Sequence, residues 1–206
     1  DNNADLRITG LRAAGQMNKD VIATIKQLVN DPDPQVRREC AIALHHNYSA
    51  EAADLWANLA VQHDGKDRWY LEALGIGADR QWDKFFAAYL DKVKDPLQSD
   101  GSRDIVWRAR TDKAVPYIAA LASDNNTPLN NRLRYFRAFD FNTGPAKSAL
   151  LLKMIQDNSS NDVALNKLVL RHLDNKTVTQ TPVAQKALKD VLQSIAGTDE
   201  YVEMVA

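Results

Sequence analysis

The chain has 206 residues, 45% of them hydrophobic, so it can bury a sizeable core as one large domain or two small ones. Its 26 basic and 27 acidic side chains give a formal net charge of −1, which argues against a partner held mainly by bulk charge, such as duplex nucleic acid or an anionic membrane. The single cysteine, Cys40, excludes an intrachain disulfide and a cysteine-based zinc site.

Helical periodicity runs through almost the whole chain. Apolar residues recur at three- and four-residue steps in residues 19–29, 80–93 and 181–195, the last behind Thr181 as N-cap and Pro182 at the first helical position. Segments rich in Asp, Asn, Gly, Ser and Pro separate such stretches at 30–34, 63–67, 99–104, 123–128, 142–145 and 157–162. The sequence predicts an all-α chain of about a dozen helices, each of roughly 10 to 15 residues.

A pair of positions recurs six times, always with an apolar residue first. The pairs are Leu6-Arg7, Val36-Arg37, Trp69-Tyr70, Trp107-Arg108, Leu133-Arg134 and Val163-Ala164, at spacings of 30, 33, 38, 26 and 30 residues. A residue that can cap a helix or begin a turn stands three positions before five of the six apolar residues. The residues at this position are Asn3, Asp33, Lys66, Asp104, Asn130 and Ser160. Lys66 is the exception, and the adjacent Asp67 can serve as the cap in its place. We expect the apolar residue to enter the core as an anchor. We expect the arginine to reach the acidic turn of a neighbouring repeat, at Asp33, Asp67 or Asp104.

The stretch NDPDPQVRRECAIAL, residues 30–44, resembles the HEAT-repeat signature, with its D-x-x-V-R core followed by a helix of small and apolar residues. The resemblance extends over nearly the whole chain as six degenerate helix pairs, beginning near residues 4, 34, 67, 103, 128 and 160. It implies a right-handed α-α superhelix of the HEAT or armadillo type, formed by residues 1–206 as a single domain. Such proteins mostly serve as scaffolds and binding surfaces.

A narrower resemblance lies in HDGKDRWYLEALGIGADRQWD, residues 63–83, together with AGTDEYVEMV near the end. These segments look like the HEAT part of large exported bacterial proteins that also carry a sugar-dehydrogenase-like β-propeller and a c-type cytochrome domain. The resemblance implies a periplasmic or other extracytoplasmic location, with a cytoplasmic one left open. The chain has no C-x-x-C-H motif, so any haem would lie outside it. It opens on DNNADLR without a starting Met, so we expect an excised piece of a longer protein.

Single residues give little sign of catalysis. His45 and His46 are adjacent, so their side chains should point to different helix faces and share no metal. Cys40 falls on the apolar side of a helix, where a small core residue is expected. Gly75 and Gly77 are predicted to mark a close approach of two helices. We predict no enzyme activity, no cofactor, no metal and no membrane span.

Aromatic and basic side chains stand together at the predicted starts of three inner helices, within residues 68–70, 107–110 and 132–137. This stripe fits a docking surface for a protein partner or for another domain of the same polypeptide. The candidate contact residues are Arg68, Tyr70, Trp107, Arg108, Arg110, Arg134 and Arg137. The alternative is structural, with the apolar residues in the core and the arginines in ion pairs between repeats.

The sequence thus favours a non-catalytic scaffold or linker within a larger exported protein. One alternative is a HEAT-like DNA-binding or DNA glycosylase-type protein, in which Trp107, Arg108, Arg134 and Asp104 would line a concave groove, although the net charge of −1 argues against nucleic acid. The other is a HEAT-like lyase or chaperone for a modified protein, which requires an accessible cysteine or acid pair.

Overall fold

A computed structural model describes residues 2–17, 20–158, 160 and 162–205 of the chain. Within these ranges all regular structure is helical, which confirms the predicted all-α class. Short 3₁₀ turns lie at Asp112–Ala114 and Phe139–Phe141. The helices are α1 Ala4–Gln16, α2 Val21–Leu28, α3 Pro34–Ala43, α4 Ala52–Ala60, α5 Arg68–Gly77, α6 Trp82–Lys92, α7 Asp100–Arg108, α8 Val115–Ser123, α9 Leu129–Ala138, α10 Pro145–Asp157, α11 Val163–Arg171, α12 Asn175–Gln180, α13 Pro182–Ser194 and α14 Asp199–Val205.

The helices form two compact units, and unit 1 comprises residues 1–114 with α1 to α7. In unit 1 one row consists of α1 packed on α3, α3 on α5 and α5 on α7, and a second row of α2 packed on α4 and α4 on α6. Each helix therefore packs on its second neighbour, which is the order that stacked helix pairs produce. The right-handed superhelix, the number of pairs and the single-domain arrangement stay predictions.

Unit 2 comprises residues 115–206 with α8 to α14. Here α9 packs on α11 and α11 on α13, while α8 packs on α9 and α10. Helix α10 also contacts α11 and α13, and the six-residue α12 packs on α13. Unit 2 therefore repeats the second-neighbour packing of unit 1 only in part, because α12 is too short to pack along the full length of another helix.

The core of unit 1 is centred on aromatic side chains between α4 and α6. The Trp56 ring is fully buried, with its centroid 5.6 Å from those of both Trp82 and Phe85. Its indole N–H donates a hydrogen bond of 2.9 Å to the carbonyl of Leu74, so the polar atom of this ring is satisfied. Trp82 and Phe85 belong to the apolar face predicted for residues 80–93, and the burial confirms that face.

Side-chain capping follows the predicted positions in the first part of the chain. Asn3, Asp33 and Asp67 cap α1, α3 and α5, each accepting a hydrogen bond from a backbone N–H of the first turn. The three later predictions were wrong: Asp104 lies inside α7 and Asn130 inside α9, which begin behind Ser99 and Pro128, and Asp162 rather than Ser160 caps α11. Thr181 precedes Pro182 at the start of α13, as predicted, but makes no capping hydrogen bond through its side chain.

The apolar anchors of the six pairs were expected in the core, and for most of them this was wrong. Val36 is buried, but Leu6, Trp69 and Leu133 are exposed, while Trp107 and Val163 are partly exposed. In α5 the buried face is Tyr70, Ala73, Leu74 and Gly77, which follows the i, i+3, i+4, i+7 spacing. Because each residue turns the helix by about 100°, Trp69 lies beside this face and not on it.

One arginine reaches the acidic turn of the neighbouring repeat as predicted, but its partner is Asp31 and not Asp33, and the pair is partly buried. The Arg7 guanidinium in α1 makes two hydrogen bonds, of 2.7 and 2.8 Å, to the carboxylate of Asp31 in the turn before α3. Asp31 also accepts the N–H of Asp33 at 2.9 Å, and its carbonyl accepts Arg37 Nη1 at 2.6 Å. The Arg7 hydrogen bond lowers the pKa of the Asp31 carboxyl below its ordinary value, against the opposing effect of burial.

Gly77 sets the distance between α3 and α5. A Cβ at this position would overlap the carbonyl oxygen of Ala41 in α3 and would come within 3.5 Å of the Trp56 ring. The helices therefore approach at a separation that only glycine allows here, which agrees with the close approach predicted for this residue.

The packing at Gly77 predicts opposite effects for two glycine-to-alanine substitutions. Gly77→Ala should lower the free energy of unfolding by about 1 to 3 kcal/mol, because the methyl group must displace the α3 backbone. Gly10→Ala is the matched control, since a Cβ there meets nothing within 4 Å, and it should raise stability by about 0.5 to 1 kcal/mol. Urea unfolding followed by circular dichroism measures both, and equal effects of the two substitutions would contradict the packing described.

The Asp31 ion pair predicts a pH-dependent loss of stability. Its folded pKa is lowered, so its contribution is complete above the unfolded value of 3.8 and is lost as the pH falls through that value and below. Asp31→Asn should therefore lower the free energy of unfolding by about 1 to 3 kcal/mol near pH 7 and by less near pH 3, measured by urea unfolding at each pH. The control is Glu51→Gln, which breaks the exposed Lys26–Glu51 pair and should cost less than about 1 kcal/mol at both.

Candidate functional site

A cleft of about 840 Å³ opens in unit 1 where three helix ends meet. The turn after α3, the turn between α5 and α6, and the segment after α7 bring their side chains to this place. Four cationic side chains and two acidic ones face the cleft, together with aromatic residues from two turns. The lining residues are His45, Tyr48, Gly75, Ile76, Asp79, Arg80, Gln81, Trp82, Asp83, Lys84, Arg108 and Arg110.

We call this concavity the basic cleft. Arg108 is part of its lining, and Gly75 provides the space for the Arg108 side chain. A Cβ at Gly75 would overlap the Arg108 guanidinium, so the glycine of α5 leaves a seat for the side chain from α7. Arg108 Nε lies 3.3 Å from an oxygen of Glu72, whose other oxygen accepts Arg68 Nε at 2.7 Å. Burial raises the pKa of Glu72, but the Arg68 hydrogen bond and the charges of Arg108 and Arg68 outweigh it, so that pKa is lowered. Glu72 stays ionised and holds both arginines.

Next to this network lies an exposed aromatic surface. The Arg68 guanidinium sits 5.6 Å from the centre of the Trp107 ring, within cation–π range. The adjacent Trp69 is 71% exposed, although it is one of the most apolar side chains of the unit. We call Arg68, Trp69, Glu72, Trp107 and Arg108 the arginine–aromatic surface, which joins the basic cleft at Arg108.

Arg110 extends the positive charge of the cleft toward the interior. It is partly buried, and its Nη1 donates to the carbonyls of Trp107 at 3.0 Å and Ala109 at 3.1 Å. Burial, followed by the charge of Arg108, lowers the pKa of Arg110 to about 10. The side chain is still charged at neutral pH, and a negative group from a partner would offset both effects.

The predicted contact residues fall into three groups: four that lie together in unit 1, one that belongs to the core, and two on α9 of unit 2. Arg68, Trp107, Arg108 and Arg110 lie together in unit 1 as described. Tyr70 was expected at a docking surface, but its ring is 2% exposed, its hydroxyl donates to the carbonyl of Leu59 at 3.0 Å, and burial raises its pKa to about 12. Tyr70 is therefore a core residue and is withdrawn from the candidate set.

The remaining two candidates, Arg134 and Arg137, lie on α9 in unit 2, and both are exposed. The Arg134 guanidinium is 5.4 Å from the centre of the Tyr135 ring. Their neighbour Arg132 is buried and donates to the carbonyl of Ala122 at 3.0 Å, so it serves the packing of α8 on α9. Arg134 and Arg137 therefore stay available as contact residues.

The predicted ion pairs of the later arginines have other partners than expected. Arg108 pairs with Glu72 in place of Asp67, and Arg37 donates to the backbone of its own turn and stands 5.7 Å from the Tyr70 ring. Asp104 lies 3.1 Å from Nε2 of the buried His63. The glycosylase alternative requires the Asp104 carboxylate in its groove, and in the structure this carboxylate contacts His63.

Sequence reasoning missed several cleft residues that come from separate helix ends. Lys84, Arg80 and Tyr48 belong to no recurring pair, and Asp83 accepts a hydrogen bond from the Thr111 hydroxyl 28 positions later. The turn signal in GADRQ, residues 77–81, would have placed Arg80 at a helix end, but not beside Arg108.

The histidine pair also differs from its prediction. His45 and His46 do not diverge onto two helix faces, because α3 ends at Ala43 and His46 adopts a left-handed conformation with φ of 57°. The two rings stack with centroids 3.7 Å apart, at the rim of the basic cleft. Asp79 faces both rings, so these three residues form a group with the side chains that a metal ion requires.

Cys40 is a core residue, as predicted. Its exposure is 0%, and burial, with smaller effects of Asp31 and Glu39, raises its pKa to about 12. A neutral thiol without solvent access does not act as a nucleophile, so a lyase would have to use the other group named above, an acid pair.

Unit 2 carries a second concavity, an apolar groove of about 520 Å³ along α13. Leu188 and Leu192 line it from α13, with Val178 from α12 and Tyr201 from α14. Nothing in the structure shows what covers this groove, whereas the cleft of unit 1 gathers charged groups that define a chemistry.

Comparison of the chain with protein-family models, with curated proteins and with solved structures gave no match. In the part of the chain that the structure describes, no helix has both the length and the apolar character needed to cross a bilayer.

The burial of Cys40 predicts slow thiol chemistry in the folded protein. A rise in pKa from 9.0 to about 12 reduces the thiolate fraction roughly a thousandfold, and the core blocks the reagent. Labelling with a chromogenic disulfide reagent should therefore be at least about a thousandfold slower in the native protein than in urea-unfolded protein. Rapid labelling of the native chain would restore the lyase alternative.

Proposed function

We propose that the chain is a non-catalytic helical-repeat scaffold that holds a protein partner, or another domain of the same polypeptide, on the cleft side of unit 1. The observation that carries this proposal is the exposed Trp69 beside a prearranged cluster of Arg68, Trp107 and Arg108. Tryptophan and arginine are the residue types that most often dominate the free energy of protein–protein binding.

The arrangement of the arginines supports a docking role, because they are held in place before any partner binds. Glu72 fixes Arg68 and Arg108, and the Trp107 ring lies under the Arg68 guanidinium. Fewer side-chain rotamers then have to be frozen on association, which lowers the entropic cost of binding.

The charge of the cleft indicates the chemistry of the partner surface. Arg80, Lys84, Arg108 and Arg110 outnumber Asp79 and Asp83, although the whole chain has a net charge of −1. A carboxylate-rich segment of a protein would complement this local excess and would form charge-assisted hydrogen bonds with the guanidinium groups.

The scaffold role rests on the packing of unit 1 in two rows, in which each helix contacts its second neighbour. Stacked units of this kind hold attached modules at a fixed distance and offer one long surface. The finer form of the proposal is a HEAT-type array inside a larger exported bacterial protein with propeller and cytochrome domains. Its support is the resemblance carried by residues 63–83 and the final segment.

Site-specific photo-cross-linking tests the proposal in cells that produce the full protein. A benzophenone amino acid in place of Trp69 should cross-link to one protein or one domain, identified by mass spectrometry. The same group in place of Met17, which is 66% exposed at the C-terminal cap of the first helix, is the control and should give no such product.

Charge reversal shows whether the cleft provides the attraction. Arg68→Glu and Lys84→Glu should each reduce the Trp69-site product by about tenfold or more, since like charges across an interface are strongly unfavourable. Lys186→Glu, an exposed cation of unit 2, should leave it unchanged. Equal products from positions 69 and 17, or products insensitive to both reversals, would contradict the proposal.

A further inference from the structure

The turns that follow α3 and α5 present side chains with metal-binding atoms to each other. His45 Nε2 lies 3.7 Å from Asp79 Oδ2, and His46 Nε2 lies 3.9 Å from the same oxygen. One ligand atom from each of the three residues lies within 4.8 Å of the other two. In the described part of the chain this is the one group of three His, Cys, Asp or Glu residues that meets this distance condition.

These distances are close to those of a coordination sphere. Zinc–ligand bonds of about 2.0 to 2.2 Å at tetrahedral angles place the ligand atoms about 3.3 to 3.5 Å apart. The observed His–Asp separations exceed this by a few tenths of an ångström, and all three side chains are exposed enough to adjust. His45 and Asp79 line the cleft, so water or another ligand can reach the ion from the cleft.

The backbone arrangement brings the ligands together in two ways. The left-handed residue His46 turns its ring back over that of His45, so adjacent residues supply ligands on one side. The contact of Gly77 with Ala41 then places the end of α5 beside the end of α3. Both helix ends carry partial negative charge, which favours a cation at this place.

Positively charged side chains near the three residues compete with a metal ion for the Asp79 carboxylate. Arg80 Nε lies 3.9 Å from the same Asp79 oxygen that would bind the metal, and Lys84, Arg108 and Arg110 add positive charge from the cleft. Asp83 is the other acidic residue of the lining. Arg80 is thus the cation that a metal ion must displace from Asp79.

We propose that His45, His46 and Asp79 form a binding site for one divalent transition-metal ion of the Zn²⁺ class. Two imidazole nitrogens and one carboxylate oxygen suit Zn²⁺, Cu²⁺, Ni²⁺ and Co²⁺, whereas Mg²⁺ and Ca²⁺ prefer oxygen ligands alone. A bound ion would link the turns after α3 and α5 and so stabilise the stack of unit 1. The proposal does not rest on the docking role, although His45 and Asp79 also line the basic cleft.

Titration of the metal-free purified chain with Co²⁺ tests the site directly. The visible absorption of Co²⁺ should develop with saturation at one ion per chain and should disappear when Zn²⁺ is added. Zn²⁺ should also raise the melting temperature, and Mg²⁺ at the same concentration should not. A chain that shows no saturable Co²⁺ or Zn²⁺ binding overturns the proposal.

Two variants remove ligands while keeping the backbone. His46→Asn retains a residue type that tolerates the left-handed conformation, and Asp79→Asn preserves shape. Each should weaken Zn²⁺ binding at least about 10- to 100-fold, since loss of an outer-shell partner alone costs that much, and should abolish the gain in melting temperature. Wild-type affinity in both variants would overturn the proposal.

Two further variants separate a built site from general binding by histidine. Arg80→Asn removes the competing cation and should tighten Zn²⁺ binding, which a purely structural effect would not do. Asp140→Asn alters the other exposed His–Asp pair, in which His172 Nδ1 lies 2.7 Å from the carboxylate, and should leave the affinity unchanged. Weaker binding in Arg80→Asn, or loss of binding in Asp140→Asn, would place the ion elsewhere.

Discussion

The close contact of α3 and α5 at Gly77 is the constraint on which the features of unit 1 depend. Because glycine lets the Ala41 carbonyl approach, the ends of both helices lie side by side. Gly75, two residues earlier and about 200° around the helix, lies on the opposite face of α5, where the Arg108 side chain from α7 is seated. One short G-x-G segment thus fixes the spacing of the helices and the position of a cleft arginine.

Unit 1 uses its ion pairs in two different ways. The Arg7–Asp31 pair is partly buried, has several hydrogen bonds and joins the start of one helix to the turn before another. The Glu72 carboxylate, by contrast, holds two arginines at the surface, where they stay accessible from one side. The first arrangement contributes to folding, while the second orders charge that a partner can meet.

Much of the fold was predictable from local sequence. Apolar periodicity indicated the helices, and short polar residues located the caps of α1, α3 and α5, because both signals act within one or two turns of chain. The burial of most apolar anchors was predicted wrongly, because a shift of one residue moves a side chain about 100° around the helix. In α5, for example, Tyr70 is in the core and Trp69 is exposed.

The candidate site was predictable only in part, for a related reason. Arg68, Trp107, Arg108 and Arg110 stood out as neighbours in sequence, whereas Lys84 and Tyr48 reach the cleft from other turns. The His45–His46 geometry depends on one left-handed residue beyond a helix end, which the pattern of residue types does not reveal. Local signals therefore identified Arg108 and Arg110 in the cleft, and tertiary packing supplied most of the other lining residues.

His46 and Arg80 have nearly the same backbone angle, with φ of 57° and 58°, at matching places after α3 and α5. The segment between them, residues 47–80, holds one complete helix pair and starts and finishes at equivalent turns. The segment is therefore one structural repeat with the same kind of turn at both ends. A second copy inserted after Arg80 would begin and end at turns of the same kind, so the backbone of these turns is compatible with a stack lengthened by whole helix pairs.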